Sequence, residues 1–419
     1  MYKGKKYIIA TVLLWLPMFV IQAQNSASYA KIDSMTYQLY QEKNWSALAS
    51  LCEKVIGPQM DYYYLRMRAG IANYELGKYR AAARHFEKAK RFNNNDAVSN
   101  AYLQYAYLYS NRLEESKKIG ALNKDVNFNN KYNAIALESG FKTTTKPNIN
   151  LAFLNGLTLI HGLGKRAGLM HSLNTYLQNE ERYNVQQFQY YLRYTIALKG
   201  NFKLSVGAHY VFSNVEPKNY LVYEPPGFTH RPPPLTQTLL SIPANGISYT
   251  TITLPAQKNH EFIASANLVK QSDKIDLNIG ATITKLDTTN LQMLNAGFVI
   301  YPFSNNNLQF GLQAFAYTYT QTQKFHTAFS PNLNARLFKN CYLQLSYFHN
   351  RNVNIIEQTG LLFNNSIDYT GERYTISPAY QVNPNFCIYG TYLFEKKFHI
   401  NDKTYYNYHL FLLGTKFNF

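Results

Sequence analysis

The sequence predicts an α plus membrane-β architecture: a short amino-terminal helical stack followed by an antiparallel transmembrane β-barrel of about fourteen strands. Three observations carry this. A basic and then apolar leader opens the chain. A helical pattern follows, with turn residues spaced 34 apart. From about residue 131 to Phe419 the apolar pattern has period two, in runs broken by turns that alternate between short and long.

In the leader, Lys3, Lys5 and Lys6 precede an apolar run from Tyr7 to about Ile21, and polar Gln24, Asn25 and Ser26 close it. That run is too short to span a bilayer as a helix, so residues 1–23 read as a signal peptide. Cleavage is expected after Ala23, with Ala30 as second choice. The first cysteine is Cys52, far from either site, which argues against a lipoprotein. No later run reaches the ~18 apolar residues of a helical span, so any membrane crossing is made by strands. With 419 residues and a net charge of +18 the chain first suggests a nucleic-acid binder. Charged residues are only 16 %, however, aromatics equal them at 16 %, and tyrosine occurs 37 times. This balance suits sheets that meet a membrane interface, so the excess charge is assigned to lipid or an anionic polymer and not to nucleic acid. Cys52 lies in a helical region, and Cys341 and Cys387 begin strands that are not neighbours, so no disulfide, metal site or cofactor is expected.

Residues 28–122 read as helices. Trp45, Tyr79 and Leu113 recur in equivalent turns, and the middle copy places Gly70 and Ala72 on one helix, Gly77 in the turn, and Ala82, Phe86 and Ala89 on the next. This resembles the tetratricopeptide repeat, in which small residues let paired helices approach and a Phe fills the groove. Arg66 replaces an apolar residue, Asn94 the usual proline, and the outer copies carry Leu48 and Ser116 where Ala82 sits. About three such units are the minimum for a stable stack. The resemblance implies a periplasmic domain that docks a protein or peptide; the alternative is a spacer stacked on the barrel mouth. Arg80, Arg84, Lys88, Lys90 and Arg91 cluster on one helix, with Arg80, Arg84, Lys88 and Arg91 as candidate docking residues and a merely solvated face as the other option.

Residues 123–130 read as a linker and 131–419 as the barrel. Ile275, Leu277, Ile279, Ala281 and Ile283 alternate with Asp276, Asn278, Gly280 and Thr282, and 187–196 and 308–316 behave alike. Short links at 199–201, 271–274, 304–307, 338–340 and 382–385 alternate with longer ones at 213–258, 351–367 and 399–404. Short turns inside and long loops outside then give each strand a direction. A periplasmic helical part and a last strand ending on the same side require an even strand number. Fourteen satisfies this, and twelve is the alternative if 131–160 is a linker. In 405–419, Phe411, Leu413, Thr415, Phe417 and Phe419 share one face, against Leu412, Gly414, Lys416 and Asn418. An aromatic final residue on such a strand is similar to the closing signal of outer-membrane barrels. That resemblance makes Phe411, Leu413, Phe417 and Phe419 the assembly signal, with barrel-assembly machinery and outer-membrane lipid as partners.

Alternation nominates Glu138, Arg193, Lys203, His209, Glu261, Asp276, Asn332, Asn334, Arg336, Arg373 and Lys416 for the inward face, with Tyr191, Phe315, Tyr317 and Tyr319. Bases outnumber acids, which fits passage of an anionic or saccharide solute. The competing reading is an interior filled by its own paired side chains. The 213–258 insertion holds Pro225-Pro226 and Pro232-Pro233-Pro234 among aromatic residues, which favours an extended plug or lid over a loose antigenic loop. No GxSxG, HExxH, CxxC or phosphate loop occurs and the ten histidines are scattered, so an enzyme is not expected. The whole arrangement looks like the tetratricopeptide-plus-barrel outer-membrane proteins, such as the YaiO-like group. The resemblance implies export across the outer membrane. Rival readings are translocation or assembly of a protein client, as in surface lipoprotein assembly modulators, and a non-conducting scaffold.

Overall fold

A computed structural model describes residues 29–121, 133–146, 151–179, 183–218, 220–224, 237–238, 248–252, 255–285, 290–320, 324–352, 355–357, 362–364, 369–399 and 403–419. The leader, the linker and the proline runs fall outside these residues.

Six helices come first among the described residues: α1 (Tyr29–Gln41), α2 (Trp45–Val55), α3 (Tyr63–Glu75), α4 (Tyr79–Phe92), α5 (Ala97–Tyr109) and α6 (Leu113–Gly120). They form three successive pairs. Lys43, Gly77 and Asn111 turn each pair with left-handed φ of 54°, 69° and 59°, and Trp45, Tyr79 and Leu113 each start the second helix. Glycine adopts that φ at little cost and asparagine is among the side chains that tolerate it, which accounts for two of the three turns. At Gly70 an added Cβ would sit 2.5 Å from the Phe86 ring, so glycine is what lets Phe86 bury fully between α3 and α4. The unexpected Arg66 is buried but satisfied: its Nε and Nη2 donate to Asp61 at 2.6 and 2.8 Å. Ser116, fully buried, donates its hydroxyl to Gln104 O at 2.9 Å.

The rest forms one closed antiparallel barrel of fourteen strands. They are β1 (Ala134–Thr144), β2 (Ala152–Leu163), β3 (Ala167–Asn179), β4 (Tyr183–Ala197), β5 (Phe202–Pro217), β6 (Gln257–Lys270), β7 (Ile275–Lys285), β8 (Asn290–Ile300), β9 (Leu308–Tyr319), β10 (Phe325–Phe338), β11 (Cys341–Asn352), β12 (Tyr369–Asn383), β13 (Phe386–His399) and β14 (Thr404–Asn418). Each pairs with its sequence neighbour, and β14 closes on β1 from Ala134 opposite Asn418 to Thr144 opposite Tyr408. The twelve-strand alternative is therefore excluded, because the hairpin of β1 and β2 belongs to the wall. One boundary is corrected: β5 continues past Ser213 to Pro217, because β4 pairs with it to Pro217 and β6 to Val215. The insertion begins only after it and contains a small three-stranded sheet of Tyr220–Glu224, Ser248–Ile252 and Gln237–Thr238.

Strand alternation divides the side chains cleanly. Ile279, Ile283, Leu294 and Leu413 point outward and are each more than 60 % exposed, and Ile135, Leu137, Phe188, Phe310, Phe411 and Phe417 continue the same outer band. An apolar belt around a whole barrel far exceeds the patch a soluble monomer tolerates. The opposite face is polar over much of its height, with an apolar and aromatic patch on β6 to β11. Gln313 Nε2 donates to Asn278 Oδ1 at 2.8 Å across it, and the hydroxyls of Thr195 and Ser205 lie 3.1 Å apart. Gly414 is required at its inward position, since a Cβ there would collide with the Tyr389 ring, whose hydroxyl donates to Glu138 at 2.7 Å.

Candidate functional site: the barrel interior and its helical cap

The inward face of the long-loop half has two unlike walls. On β6 to β11, Ile263, Leu291, Met293, Phe315, Tyr317, Tyr319, Ala328 and Phe348 form one buried cluster. On β12 to β14 and β1 the interior is ionic. Glu395 is buried opposite Arg373 on the next strand and accepts a 2.8 Å hydrogen bond from Thr370. Lys397 Nζ lies 3.8 Å from the Glu395 carboxylate, and Lys142 Nζ lies 3.9 Å above the Tyr408 ring. Arg373 joins the walls, its guanidinium 4.8 Å from the Phe348 ring. Among the described residues of this wall, three cations thus face one carboxylate, beside aromatic faces that themselves attract cations. Lys142, Glu395 and Lys397 escaped the sequence reading. Glu395-Lys396-Lys397 resembles a charged loop, and only the odd-numbered alternation along β13 shows that Glu395 and Lys397 share the inward face.

The predicted lumen residues divide by height. Tyr191 and His209 are buried, edge to face with ring centres 5.7 Å apart. Arg193 donates to the Met170 sulfur at 3.3 Å. Tyr317 and Tyr319 meet edge to face at 5.9 Å within the aromatic wall. Lys203 and Lys416 stand on the inward register near the short-turn end, opposite Ala197 and Cys387 respectively. Arg336 keeps the inward register opposite Tyr342 at the short-turn mouth, just before a register shift, and is exposed there, with Nε donating to Phe338 O at 3.4 Å.

At the short-turn mouth the helical domain enters the site. Arg80 is only 2 % exposed. Its Nη2 donates to Asp276 Oδ1 and to Ser272 O, Nε donates to Asp273 O at 3.2 Å, and the guanidinium lies 3.6 Å over the Tyr301 ring. Tyr301 donates its hydroxyl to the other Asp276 oxygen at 3.0 Å, and the Arg80 amide donates to Ser304 O at 3.0 Å. Around this pair, Arg84 Nη1 lies 3.3 Å from Asp273 Oδ2 and Asn201 donates to Glu87 at 2.8 Å. Two of the four candidate docking residues are thus taken by the barrel. A basic i, i+4 helix face looks solvated in sequence, but Arg80 and Arg84 are drawn to acidic groups in the turn between β6 and β7. Lys88 is part-exposed and Arg91 exposed.

The cap contains a pH-sensitive group. His85 is buried, with Arg66 Nη1 3.3 Å from Nδ1 and Arg84 Nη2 3.2 Å from Nε2. Burial and the two guanidiniums hold its ring below the usual imidazole range, against the pull of Glu53. Glu53 itself is pushed down to about 2, by His85 first and then by Arg84, whose Nη2 is 2.5 Å away. Both folded values lie below the unfolded ones. Their stabilisation is therefore complete above about pH 6.5 for His85 and 4.5 for Glu53, and is lost as pH falls. The helical circular-dichroism melt is expected at lower temperature at pH 5 than at pH 7.5, with His85→Gln removing the part between pH 7.5 and 5.5. A pH-independent melt would contradict this.

Among the described residues no helix is long and apolar enough to cross a membrane, and no group of three or more metal-binding side chains is assembled. No family model matches the chain, and no curated protein does. Solved structures similar to it include the CymD monoaromatic hydrocarbon channel, at 9 % identity over 68 % of this chain and 88 % of that one, TM-score 0.44. The Pseudomonas putida toluene transporter TodX aligns at 8 % identity over 75 % and 94 %, TM-score 0.44. The Acinetobacter baumannii outer membrane protein Omp33 aligns at 9 % over 69 % and 100 %, TM-score 0.38. At such identity and superposition these likenesses carry no conclusion about substrate or mechanism.

Proposed function

We propose that this chain is an outer-membrane transport barrel whose tetratricopeptide-like helices face the periplasm and which passes an anionic or saccharide solute. The apolar belt supports a lipid-embedded wall, because exposed Leu, Ile and Phe rings at this density are stable only against hydrocarbon. The observation that carries the solute class is the long-loop interior, where Lys142, Arg373 and Lys397 oppose a single Glu395 beside Phe348, Phe315 and Tyr317. Positive side chains lining a constriction select anions, and flat rings stack on sugar faces. Lys88 and Arg91 leave part of α4 free for a periplasmic protein or peptide.

Single-channel recording in planar bilayers tests this, on the full chain and on a form with residues 219–254 replaced by a short Gly-Ser turn. Anion-selective conductance is expected, larger in the shortened form. Absence of conductance from both would remove the transport reading and leave a scaffold or assembly role.

A further inference from the structure

The outer wall is not uniform. Between β2, β3 and β4 it is hollowed into a groove of about 240 Å³ lined by Leu157, Leu159, His161, His171, Leu173 and Tyr190, with almost entirely apolar surface. All six residues lie on the outward register. Towards the long-loop side the lining is aliphatic. Towards the short-turn side it is ringed by aromatic and imidazole side chains: His171 Nδ1 lies 2.7 Å from the Tyr190 hydroxyl, and the His161 ring stands 5.1 Å from that of His171. Directly beyond His161 the chain reaches the turn between β2 and β3, which presents exposed Lys165 and Arg166.

We propose that this groove is a binding site for one anionic phospholipid of the leaflet on the helical-domain side. The inference rests on the membrane reading given above. An acyl chain has the shape and polarity of the aliphatic part, which is continuous with the lipid-facing belt. At the height where strand gives way to turn, a phospholipid turns from hydrocarbon to ester and phosphate. There the wall offers the His161 imidazole as donor and two cations, the combination that retains a negatively charged headgroup near a membrane surface. The other face of β2 to β4 is in the lumen, so a lipid seated here does not compete with a solute inside the barrel.

Native mass spectrometry of the full chain in detergent, with dioleoyl phosphatidylglycerol, dioleoyl phosphatidylcholine or glycerol phosphate added, decides the point. The wild-type chain is expected to retain one phosphatidylglycerol, phosphatidylcholine less, and glycerol phosphate not at all. K165E/R166E, an exposed pair, should lower phosphatidylglycerol retention about fivefold or more and leave phosphatidylcholine unchanged. Leu159→Trp, which fills the groove, should lower both lipids. Equal retention of both lipids by all three proteins overturns the proposal, and retention of glycerol phosphate alone would reduce it to a phosphate site in the turn. Each protein is first floated with vesicles. Failure of the wild type to float would remove the membrane reading itself, whereas flotation with undiminished lipid in both variants removes the groove alone.

Discussion

Arg80→Ala is expected to detach the helical domain from the barrel, at a cost of about 3–5 kcal/mol. The substitution deletes the hydrogen-bonded cation and leaves Asp276 with its side chain 10 % exposed and facing the mouth, hydrogen-bonded among the described residues to Tyr301 and the Ser272 amide, with the buried Arg112 guanidinium acting on it only through space. An uncompensated buried carboxylate is costly, whereas a neutral amide of the same shape is far less so. Arg80→Ala combined with Asp276→Asn should therefore recover a large part of the loss, although neither substitution makes a new contact. Hydrogen exchange is the direct measurement. In the single variant, protection should fall at the start of α4 and in the turns around Ser272 and Ser304 together, while α1 and α2 keep theirs. Protection unchanged at both turns would show that the latch contributes nothing.

The second large effect concerns the ionic wall. Lys142→Glu with Arg373→Glu converts three cations and one carboxylate into one cation and three carboxylates. If solutes pass this point, the chloride-to-potassium permeability ratio should fall about tenfold or more and cross unity. The two positions lie on β1 and β12, separated by two strands, so the reversal spans the wall and does not depend on a single ion pair. Removing the acid instead, by Glu395→Gln, should raise anion preference and weaken the barrel, because it relieves nothing of the repulsion among Lys142, Arg373 and Lys397. A ratio indifferent to both changes would mean that ions cross elsewhere or not at all.

The barrel was legible because a wall with lipid on one side and water on the other leaves a two-residue signature in every strand. Register followed from it: Lys416 and Asp276 fell on the inward face by parity alone. What alternation cannot show is where a strand stops when its neighbours continue, so the sequence alone starts the insertion at Ser213 while β5 runs five residues further, to Pro217. It also cannot pair inward charges across strands, which is why Arg373 was seen without Glu395 and Lys397. The helical repeat was visible in its turn residues and small side chains, but the partner of Arg80 lies 196 residues downstream. No local pattern distinguishes a helix face that meets water from one that meets a distant turn.

That separation has a consequence for how the molecule is put together. The helical stack leaves the ribosome first, yet every acceptor for Arg80 lies in or beside turns that take shape only when β6 through β9 are paired. Until then Arg80 has no Asp276 and Arg84 no Asp273. The stack must fold on its own cores first, and docking follows the pairing of β6 to β9 and reports a correctly registered β6–β7 turn. A strand slipped by a single residue would turn Asp276 out to lipid and leave the latch unmade. Docking of the helices therefore depends on correct register at this mouth.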